Sequence, residues 1–168
     1  ELVQAATALE HDPARHRYQA GDGMAELLEV WRRVLQQDNA IPADAGDMLV
    51  TAGSNMAFLQ LVAVIADPGD QVLLPSPYFF NQRMALETLG VEPLIVPTLD
   101  NYQLDLGRIE GAITSKTRAI VTVSPNNPTG AVYSAADLTY VNRLCADKGL
   151  LHISDEAYQH FVYGDAAH

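Results

Sequence analysis

Four short segments of the sequence carry side chains that could bind a ligand or take part in catalysis. They are "AGSN" (52–55), "SPYFFN" (76–81), "SPNNPTG" (124–130) and "DEAY" (155–158). Together they offer backbone amides at a helix start, aromatic rings, a carboxamide, a carboxylate and a phenol. This set of donors, acceptors and aromatic faces suits a flat, anionic ring that contains nitrogen.

The segment "SPNNPTG" is built to hold one conformation. Pro125 and Pro128 each fix a backbone angle, and Gly130 permits a turn that a side chain would hinder. Asn127 is therefore aimed in a fixed direction. An Asx-type turn, in which asparagine bonds only its own backbone, is the simpler interpretation of the same residues. Likewise "DEAY" alone would also fit the first turn of a helix with acidic residues.

The segments follow predicted strands, which alternate with predicted helices. We predict strands at 48–51, 71–75, 92–97, 118–124 and 150–154. Strands that alternate with helices of this length indicate an α/β fold with three layers, a mostly parallel sheet with helices on both faces. Ligands of such sheets bind beyond the carboxyl ends of the strands, so the four segments should lie along one edge. The prolines of 92–97 place that strand near an edge of the sheet.

Composition bounds the size of the protein and the classes of partner. The chain has 168 residues, of which 48% are apolar and 18% charged, enough for one good core. The net charge of −11 argues against nucleic acid or an anionic membrane as partner. An anion would have to be held locally, by backbone amides or a few placed side chains. The apolar run "NMAFLQLVAVIA" (55–66) predicts a helix buried nearly all round.

The sequence also bears on the compartment of the protein and on the role of its cysteine. No apolar run approaches the ~18 residues of a membrane span and no leader-like segment opens the chain, so we expect a cytoplasmic protein. The single cysteine, Cys145, lies in a helical pattern and is expected to pack in the core. We predict no metal site.

Taken in order, "YQAGDG", "TAGSNMAF", "PSPYFFN", "SPNNPTG" and "DEAY" resemble the pyridoxal-phosphate-binding half of the class I/II aminotransferases of fold type I. The resemblance extends from Tyr18 to about Tyr163. It implies pyridoxal 5'-phosphate as cofactor and ping-pong transfer of an amino group between an amino acid and a 2-oxo acid. It also implies that residues 1–168 are part of the large domain, with 1–17 as an N-terminal connecting segment and the small C-terminal domain absent.

The resemblance assigns roles to individual residues around the cofactor. Asp155 would face the pyridine nitrogen. Asn127 and Tyr158 would bond the phenolic oxygen, while Asn126 would face the loop. Ser54 and Asn55 would bind the phosphate at a helix start, although the family often has a second glycine where this chain has Ser54. Asp155 and Tyr158 are accordingly the predicted catalytic residues.

Two further roles involve aromatic residues. Phe79 matches the aromatic residue that stacks on the cofactor ring, and Tyr78 is the alternative. Tyr18 matches a tyrosine that reaches the phosphate bound by the other subunit. That correspondence implies a homodimer with shared sites.

The Schiff-base lysine of the family has no counterpart in this sequence. The only lysines are Lys116 and Lys148, in the segments "TSKTR" and "ADKG", and neither matches the family's lysine motif. None of the eight arginines matches those that bind the cofactor phosphate or the substrate carboxylate. We therefore expect these 168 residues alone to be inactive in transamination.

Three other functions remain compatible with the same residues. A lyase or decarboxylase of the same fold would keep every residue named above, because those residues serve the cofactor's electronics. The fold also occurs as a ligand-sensing domain in some bacterial regulators, where a basic DNA-binding segment would precede it. An inert fragment that binds the cofactor weakly or not at all is the plainest possibility.

Overall fold

A computed structural model describes residues 2–164 of the chain. The chain divides into two compact units, one ending at Thr51 and one beginning at Ala52. The N-terminal unit contains helix α1 (Leu2–Glu10) and helix α2 (Ala25–Asp38), with 3-10 turns at Pro13–His16 and Ala45–Asp47. The proposed role of residues 1–17 as a connecting segment stays a prediction.

The predicted strand at residues 48–51 is wrong. The segment has no strand beside it among residues 2–164, and its Val50 N–H donates instead to the Asp22 carbonyl, at 2.8 Å. An extended segment becomes a strand only when a neighbour pairs with its backbone, and local sequence does not supply that neighbour. Within this unit the segment lines an apolar cavity of about 400 Å³ together with Leu27, Leu28 and Trp31 of α2.

The larger unit alternates helices and strands along the whole of its described length. Its helices are α3 (Ser54–Ile65), α4 (Phe80–Thr88), α5 (Leu106–Ala112) and α6 (Ala135–Lys148). Its strands are β1 (Gln71–Ser76), β2 (Glu92–Pro97), β3 (Thr117–Val123) and β4 (Leu151–Asp155). The last four predicted strands are confirmed within two residues at each end.

The four strands form one parallel sheet in the order β2-β1-β3-β4. The prediction that the proline-containing strand lies at an edge is confirmed, since β2 pairs only with β1. Pro93 and Pro97 lack the N–H that a second neighbour would need. Because all strands run in one direction, their carboxyl ends lie at one edge of the sheet.

Side chains of the central strands alternate between two core clusters, one on each face of the sheet. Val72 and Leu74 of β1 pack with residues of α3 and α4, including Phe58, Val62 and Leu86. Leu73 of β1 and Ile120 of β3 pack on the other face with residues of α5 and α6, including Ile109, Val141 and Leu144. This alternation, with period two, confirms the predicted three layers.

Helix ends follow their sequence signals, but the burial of α3 does not. Ser134 caps α6 by accepting a hydrogen bond from the Asp137 N–H at 3.1 Å, and Gly149 ends it in the left-handed conformation. Helix α3, predicted to be buried nearly all round, buries only Phe58 and Val62, and Val64 is 85% exposed. Within the unit only one stripe of α3 meets the sheet and α4, so its remaining apolar residues face outward.

Two further expectations concern membranes and Cys145. Over residues 2–164, no helix combines the length and apolarity that crossing a membrane requires. Cys145 is a free, buried thiol of the core cluster, as expected, and burial raises its pKa to about 11. It is therefore an uncharged packing residue at neutral pH.

Candidate active site

The strand order creates a switch point between β1 and β3. After β1 the chain crosses to β2 on one side, whereas after β3 it crosses to β4 on the other side. Loops that diverge in this way open a crevice beyond the carboxyl ends of the strands, where ligands of open parallel sheets bind. Residues 77–79 and 124–134 form the two diverging loops. The segments after β1, β3 and β4 therefore share one edge, as predicted.

Asp155 is the last residue of β4 and lies opposite Val123 of β3. Its side chain is half-buried and accepts two hydrogen bonds. Oδ1 accepts from the Ala157 N–H at 3.2 Å, and Oδ2 accepts from Gln82 Nε2 at 3.1 Å. Two donors on different oxygens fix the plane of the carboxylate.

Sequence reasoning missed Gln82. This residue is in the first turn of α4 and is only 3% exposed, although its side chain is polar. The available signal was its spacing of four from Leu86, which places both residues on one helix face. A glutamine on the buried face of a helix needs a partner, and here the partner is Asp155.

In the loop after β3, Asn126 makes the internal bonds. Its Oδ1 accepts from the Thr129 N–H at 3.2 Å and from Thr129 Oγ1 at 2.8 Å. Its Nδ2 donates to the Pro77 carbonyl at 3.3 Å and to the Tyr133 hydroxyl at 3.4 Å. Asn126 therefore bonds within its own loop, to the residue three positions on, and ties the two diverging loops together.

Asn127 stands in contrast to its neighbour. Its carboxamide has no hydrogen-bond partner within residues 2–164, and it is half-buried. The Asx-turn interpretation considered above for Asn127 is therefore not observed, since the side-chain bonds of this loop are made by Asn126. Gly130 adopts a φ of 73°, as the predicted turn requires, and its N–H donates to the Asn126 carbonyl at 2.7 Å.

A cavity of about 350 Å³ brings Asn127 and Tyr158 together. It is also lined by Pro125, Pro128 and Phe161, among others. The Tyr158 ring packs edge-to-face on Phe161, with ring centroids 5.9 Å apart. The alternative prediction of a helix at "DEAY" is wrong, because residues 157–160 form a turn that points this tyrosine into the cavity.

A second cavity, of about 270 Å³, brings the start of α3 to Asp155. Ser54 is the first residue of α3, and the N–H groups of Ser54 and Asn55 have no acceptor within residues 2–164. The side chain of Asn55 lines a different cavity with residues of α4. Ser54 and Asp155 are therefore brought together, whereas Asn55 can contribute here only through its backbone.

The two aromatic candidates after β1 differ in how the fold uses them. Tyr78 packs against the core, and its hydroxyl accepts from Arg83 at 3.2 Å. Phe79 is half-buried and caps α4, and its carbonyl accepts from the Gln82 N–H at 3.0 Å. Phe79 has no hydroxyl, so no hydrogen bond fixes its ring as the bond from Arg83 fixes that of Tyr78.

Three residues considered in the sequence lie outside the candidate site, namely Tyr18, Lys116 and Lys148. Tyr18 belongs to the N-terminal unit and is fully exposed, and its contact with a second subunit stays a prediction. Lys116 and Lys148 are exposed and precede β3 and β4. Both lysines therefore lie at the amino ends of the strands, opposite the candidate site. Residues 2–164 contain no group of three or more potential metal ligands.

Burial shifts the pKa of two titratable groups, Tyr133 in the loop after β3 and His152 in β4. Burial raises the pKa of Tyr133 to about 12, so its hydroxyl stays protonated where Asn126 contacts it. Burial lowers the pKa of His152 below its usual 6.5, and the charge of Glu156 opposes this shift. His152 Nε2 shares a hydrogen bond with Thr122 Oγ1, at 2.9 Å.

These features define a three-layer α/β domain with a candidate ligand site at the switch point of its sheet. The family model "Aminotransferase class I and II" matches residues 1–168. The chain belongs to the class I and II aminotransferase family, and its sheet and helices match the large domain of fold type I aminotransferases.

Individual aminotransferases are similar to the chain over most of its length. The chain is 36% identical over 167 residues to an aspartate aminotransferase of Streptomyces avermitilis, covering 98% of this chain and 41% of that protein. It is 38% identical over 152 residues to a probable aspartate/prephenate aminotransferase of Aquifex aeolicus, covering 89% of this chain and 39% of that protein.

A solved structure gives the same result in three dimensions. The N-succinyldiaminopimelate aminotransferase of Mycobacterium tuberculosis superposes with a TM-score of 0.93 and 30% identity, over 99% of this chain and 44% of that one. The chain thus spans about two fifths of the length of the relatives it matches.

Proposed function

We propose that this chain is part of the large domain of a cytoplasmic, homodimeric, pyridoxal-phosphate-dependent aminotransferase of amino acid metabolism. The position of Asp155 is the observation that best supports this function. Its carboxylate lies at the carboxyl end of β4, within a segment that contributes to two cavities. One cavity contains the start of a helix, which suits a phosphate, and the other contains a carboxamide and a phenol. The aminotransferase relatives favour this function over a lyase or a sensor.

The residues present fit pyridoxal phosphate. The N–H groups of Ser54 and Asn55 have no acceptor within the described chain, and the start of a helix favours a phosphate through those N–H groups and the helix dipole. This local anchor matters because the chain as a whole carries a net charge of −11. The Ser54 hydroxyl can donate a further bond to the phosphate.

Asp155 is proposed to hold a proton on the pyridine nitrogen. When bound, pyridoxal phosphate supplies an electron-withdrawing ring that stabilises the negative charge left on a substrate after loss of its α-proton. A carboxylate beside the ring nitrogen keeps that nitrogen protonated. Two opposite charges ~4 Å apart attract by about 4 kcal/mol at an effective dielectric constant of 20.

Asn127 and Tyr158 are proposed to bind the phenolic oxygen of the cofactor. Both side chains line one cavity, and the Asn127 amide and the Tyr158 hydroxyl have no partner within the described residues. Phe79 is proposed to stack on the ring face. Tyr18 is proposed to reach the phosphate of the partner subunit's site, which would make the functional unit a dimer.

The covalent anchor is proposed to come from outside residues 1–168. Lys116 and Lys148 are exposed at the opposite end of the strands, so neither can serve the site described above. We therefore expect the 168-residue chain alone not to transaminate. Amino acids and 2-oxo acids are the proposed substrates, and aspartate is the first amino acid to assay, because several relatives are named aspartate aminotransferases.

The test combines activity with mapping of the lysine. The full-length gene product is loaded with pyridoxal phosphate, assayed for transamination, reduced with borohydride and digested for peptide mass analysis. We expect activity, with the cofactor attached to a lysine outside residues 1–168. Attachment at Lys116 or Lys148, or no binding at all, would overturn the proposal. Release of carbon dioxide without amino transfer would favour a decarboxylase instead.

A further inference from the structure

The Gln82 side chain is satisfied at only one of its two ends. It is 3% exposed, and its Nε2 donates to Asp155 Oδ2 at 3.1 Å. Its Oε1 is buried, and no donor within residues 2–164 reaches it. A buried acceptor without a donor destabilises a fold, and native proteins contain few of them. An apolar residue of the same shape would avoid this cost, so the glutamine needs another explanation.

The orientation of the amide indicates what the glutamine is for. Rotation of the amide by half a turn would place Oε1 against the Asp155 carboxylate and would leave two acceptors in contact. The bond to Asp155 therefore selects the orientation that leaves Oε1 without a partner. The Ala157 N–H binds the other carboxylate oxygen, so Gln82 completes a pair of donors that fixes the carboxylate plane.

Gln82 also connects Asp155 to the segment that carries the candidate stacking residue. Its own N–H donates to the Phe79 carbonyl at 3.0 Å, in the first turn of α4. The side chain then spans from α4 to the end of β4, and the two residues that it joins, Gln82 and Asp155, are 73 positions apart in sequence. One residue thus relates the position of Phe79 to the orientation of Asp155.

We propose that Gln82 is a positioning residue of the active site, retained for its hydrogen bond to Asp155 although its unpaired oxygen destabilises the fold. The inference rests on the proposed function, because Asp155 is assigned to the cofactor only there. It predicts that replacing Gln82 by an apolar residue of similar length weakens cofactor binding without lowering the stability of the fold.

The test uses Gln82→Met in the full-length gene product. Methionine matches glutamine in length and volume but donates no hydrogen bond. We expect affinity for pyridoxal phosphate to fall about tenfold, equivalent to about 1.4 kcal/mol. The urea midpoint of the cofactor-free protein should stay unchanged or rise, since the buried unpaired acceptor is removed. The absorption spectrum of the bound cofactor should also change, because its charged neighbour is less well fixed.

A matched control and a rescue variant sharpen the result. Gln71 donates to the Glu92 carboxylate at 2.9 Å, as Gln82 does to Asp155, but its Oε1 also accepts from Thr114 and it lies at the amino end of β1. Gln71→Met should lower the urea midpoint and leave cofactor affinity unchanged. Gln82→His retains an N–H donor and should bind the cofactor more tightly than Gln82→Met.

Two kinds of failure are distinguishable. If the wild-type protein binds no pyridoxal phosphate, or Asp155→Asn binds it as tightly as wild type, the proposed function fails. If wild type binds and Asp155→Asn does not, while Gln82→Met keeps wild-type affinity and spectrum, only the role of Gln82 fails. A lowered urea midpoint in Gln82→Met would make the glutamine a structural residue and would also overturn the inference.

Discussion

The two ends of the parallel sheet use their polar side chains differently. At the amino end, polar groups satisfy one another: Arg118 pairs with Asp70 at 2.9 Å, and Gln71 binds both Glu92 and Thr114. At the carboxyl end, several groups in cavities have no partner within residues 2–164, namely the Asn127 carboxamide, the Tyr158 hydroxyl and the first N–H groups of α3.

This difference separates groups that serve the fold from groups available to a ligand. Paired polar groups stabilise the fold and are complete without a ligand, whereas unpaired groups in a cavity retain their hydrogen-bonding capacity for one. The carboxyl end is also where the strand order opens a crevice. Substitutions of the same type at the two ends should therefore have different consequences, and the predictions below compare them in pairs.

The largest effect is expected for the two aspartates. Asp155→Asn should reduce transamination by the full-length protein at least about a hundredfold, because a carboxamide cannot hold a proton on the cofactor nitrogen. Asp70→Asn, at the amino end, should lower stability by weakening the pair with Arg118 and should leave activity per folded molecule unchanged. Steady-state kinetics and urea unfolding measure both. Near wild-type activity of Asp155→Asn would remove the functional distinction between the ends.

The two adjacent asparagines should separate stability from binding. Asn126→Ala leaves Thr129, Tyr133 and the Pro77 carbonyl without their partner and should lower the free energy of unfolding by about 2 kcal/mol. Asn127→Ala should change it by less than about 0.5 kcal/mol, since nothing in the described chain bonds to its side chain.

Cofactor binding gives the complementary half of this prediction. Asn127→Ala should weaken pyridoxal phosphate binding about tenfold, which corresponds to one lost hydrogen bond to a charged oxygen. Titration followed by cofactor absorbance, alongside urea unfolding, measures both halves. If Asn127→Ala unfolds more easily than Asn126→Ala, the roles assigned to the two residues are reversed.

The sequence was sufficient to predict the layered fold and the edge of the sheet at which the candidate segments lie. Apolar runs bounded by glycine and proline mark β1 to β4, and the prolines of β2 mark an edge, because these are local consequences of backbone chemistry. The parallel direction then places the segments after β1, β3 and β4 together without further information. Those expectations are confirmed.

Features that depend on distant contacts could not be predicted in this way. The segment 48–51 has the composition of a strand but is paired with no other strand among residues 2–164, and the apolar surface of α3 does not reveal what covers it. The bond between Gln82 and Asp155 joins residues 73 positions apart. The inward direction of the Asn126 side chain is implied by the family resemblance and agrees with its contacts, but composition and spacing alone do not predict it.

Two glycines in the left-handed conformation offer a smaller test of the same comparison. Gly130 at the carboxyl end has a φ of 73°, Gly149 at the amino end has a φ of 69°, and a Cβ at either position would meet no atom within 4 Å. Each Gly→Ala substitution should therefore lower the free energy of unfolding by about 1 kcal/mol, through backbone conformation alone.

The same glycines should differ in their effect on the cofactor. Gly130→Ala changes the loop that carries Asn127 and should also weaken cofactor binding, whereas Gly149→Ala should not. Urea unfolding and cofactor titration of both variants provide the measurement. Equal losses of binding would indicate that general loss of stability, rather than the position of the loop, controls binding.

The smallest expected effect concerns His152, which lies between the two ends on β4. Burial lowers its folded-state pKa below 6.5, so at pH values between the two pKa values the unfolded chain binds more protons than the folded chain. The free energy of unfolding should therefore decrease as the pH falls through 6.5 toward the folded-state pKa, and this contribution is fully present above 6.5.

His152→Gln should remove that part of the pH dependence, whereas His160→Gln, at an exposed position of the carboxyl end, should not. Urea unfolding between pH 5 and pH 7.5 gives the difference between each variant and wild type. Glu156 opposes the shift of the His152 pKa, so Glu156→Gln should steepen the loss of stability at low pH by lowering that pKa further. If Glu156→Gln leaves the pH profile of stability unchanged, the charge of Glu156 does not influence the pKa of His152, and this electrostatic link along β4 is absent.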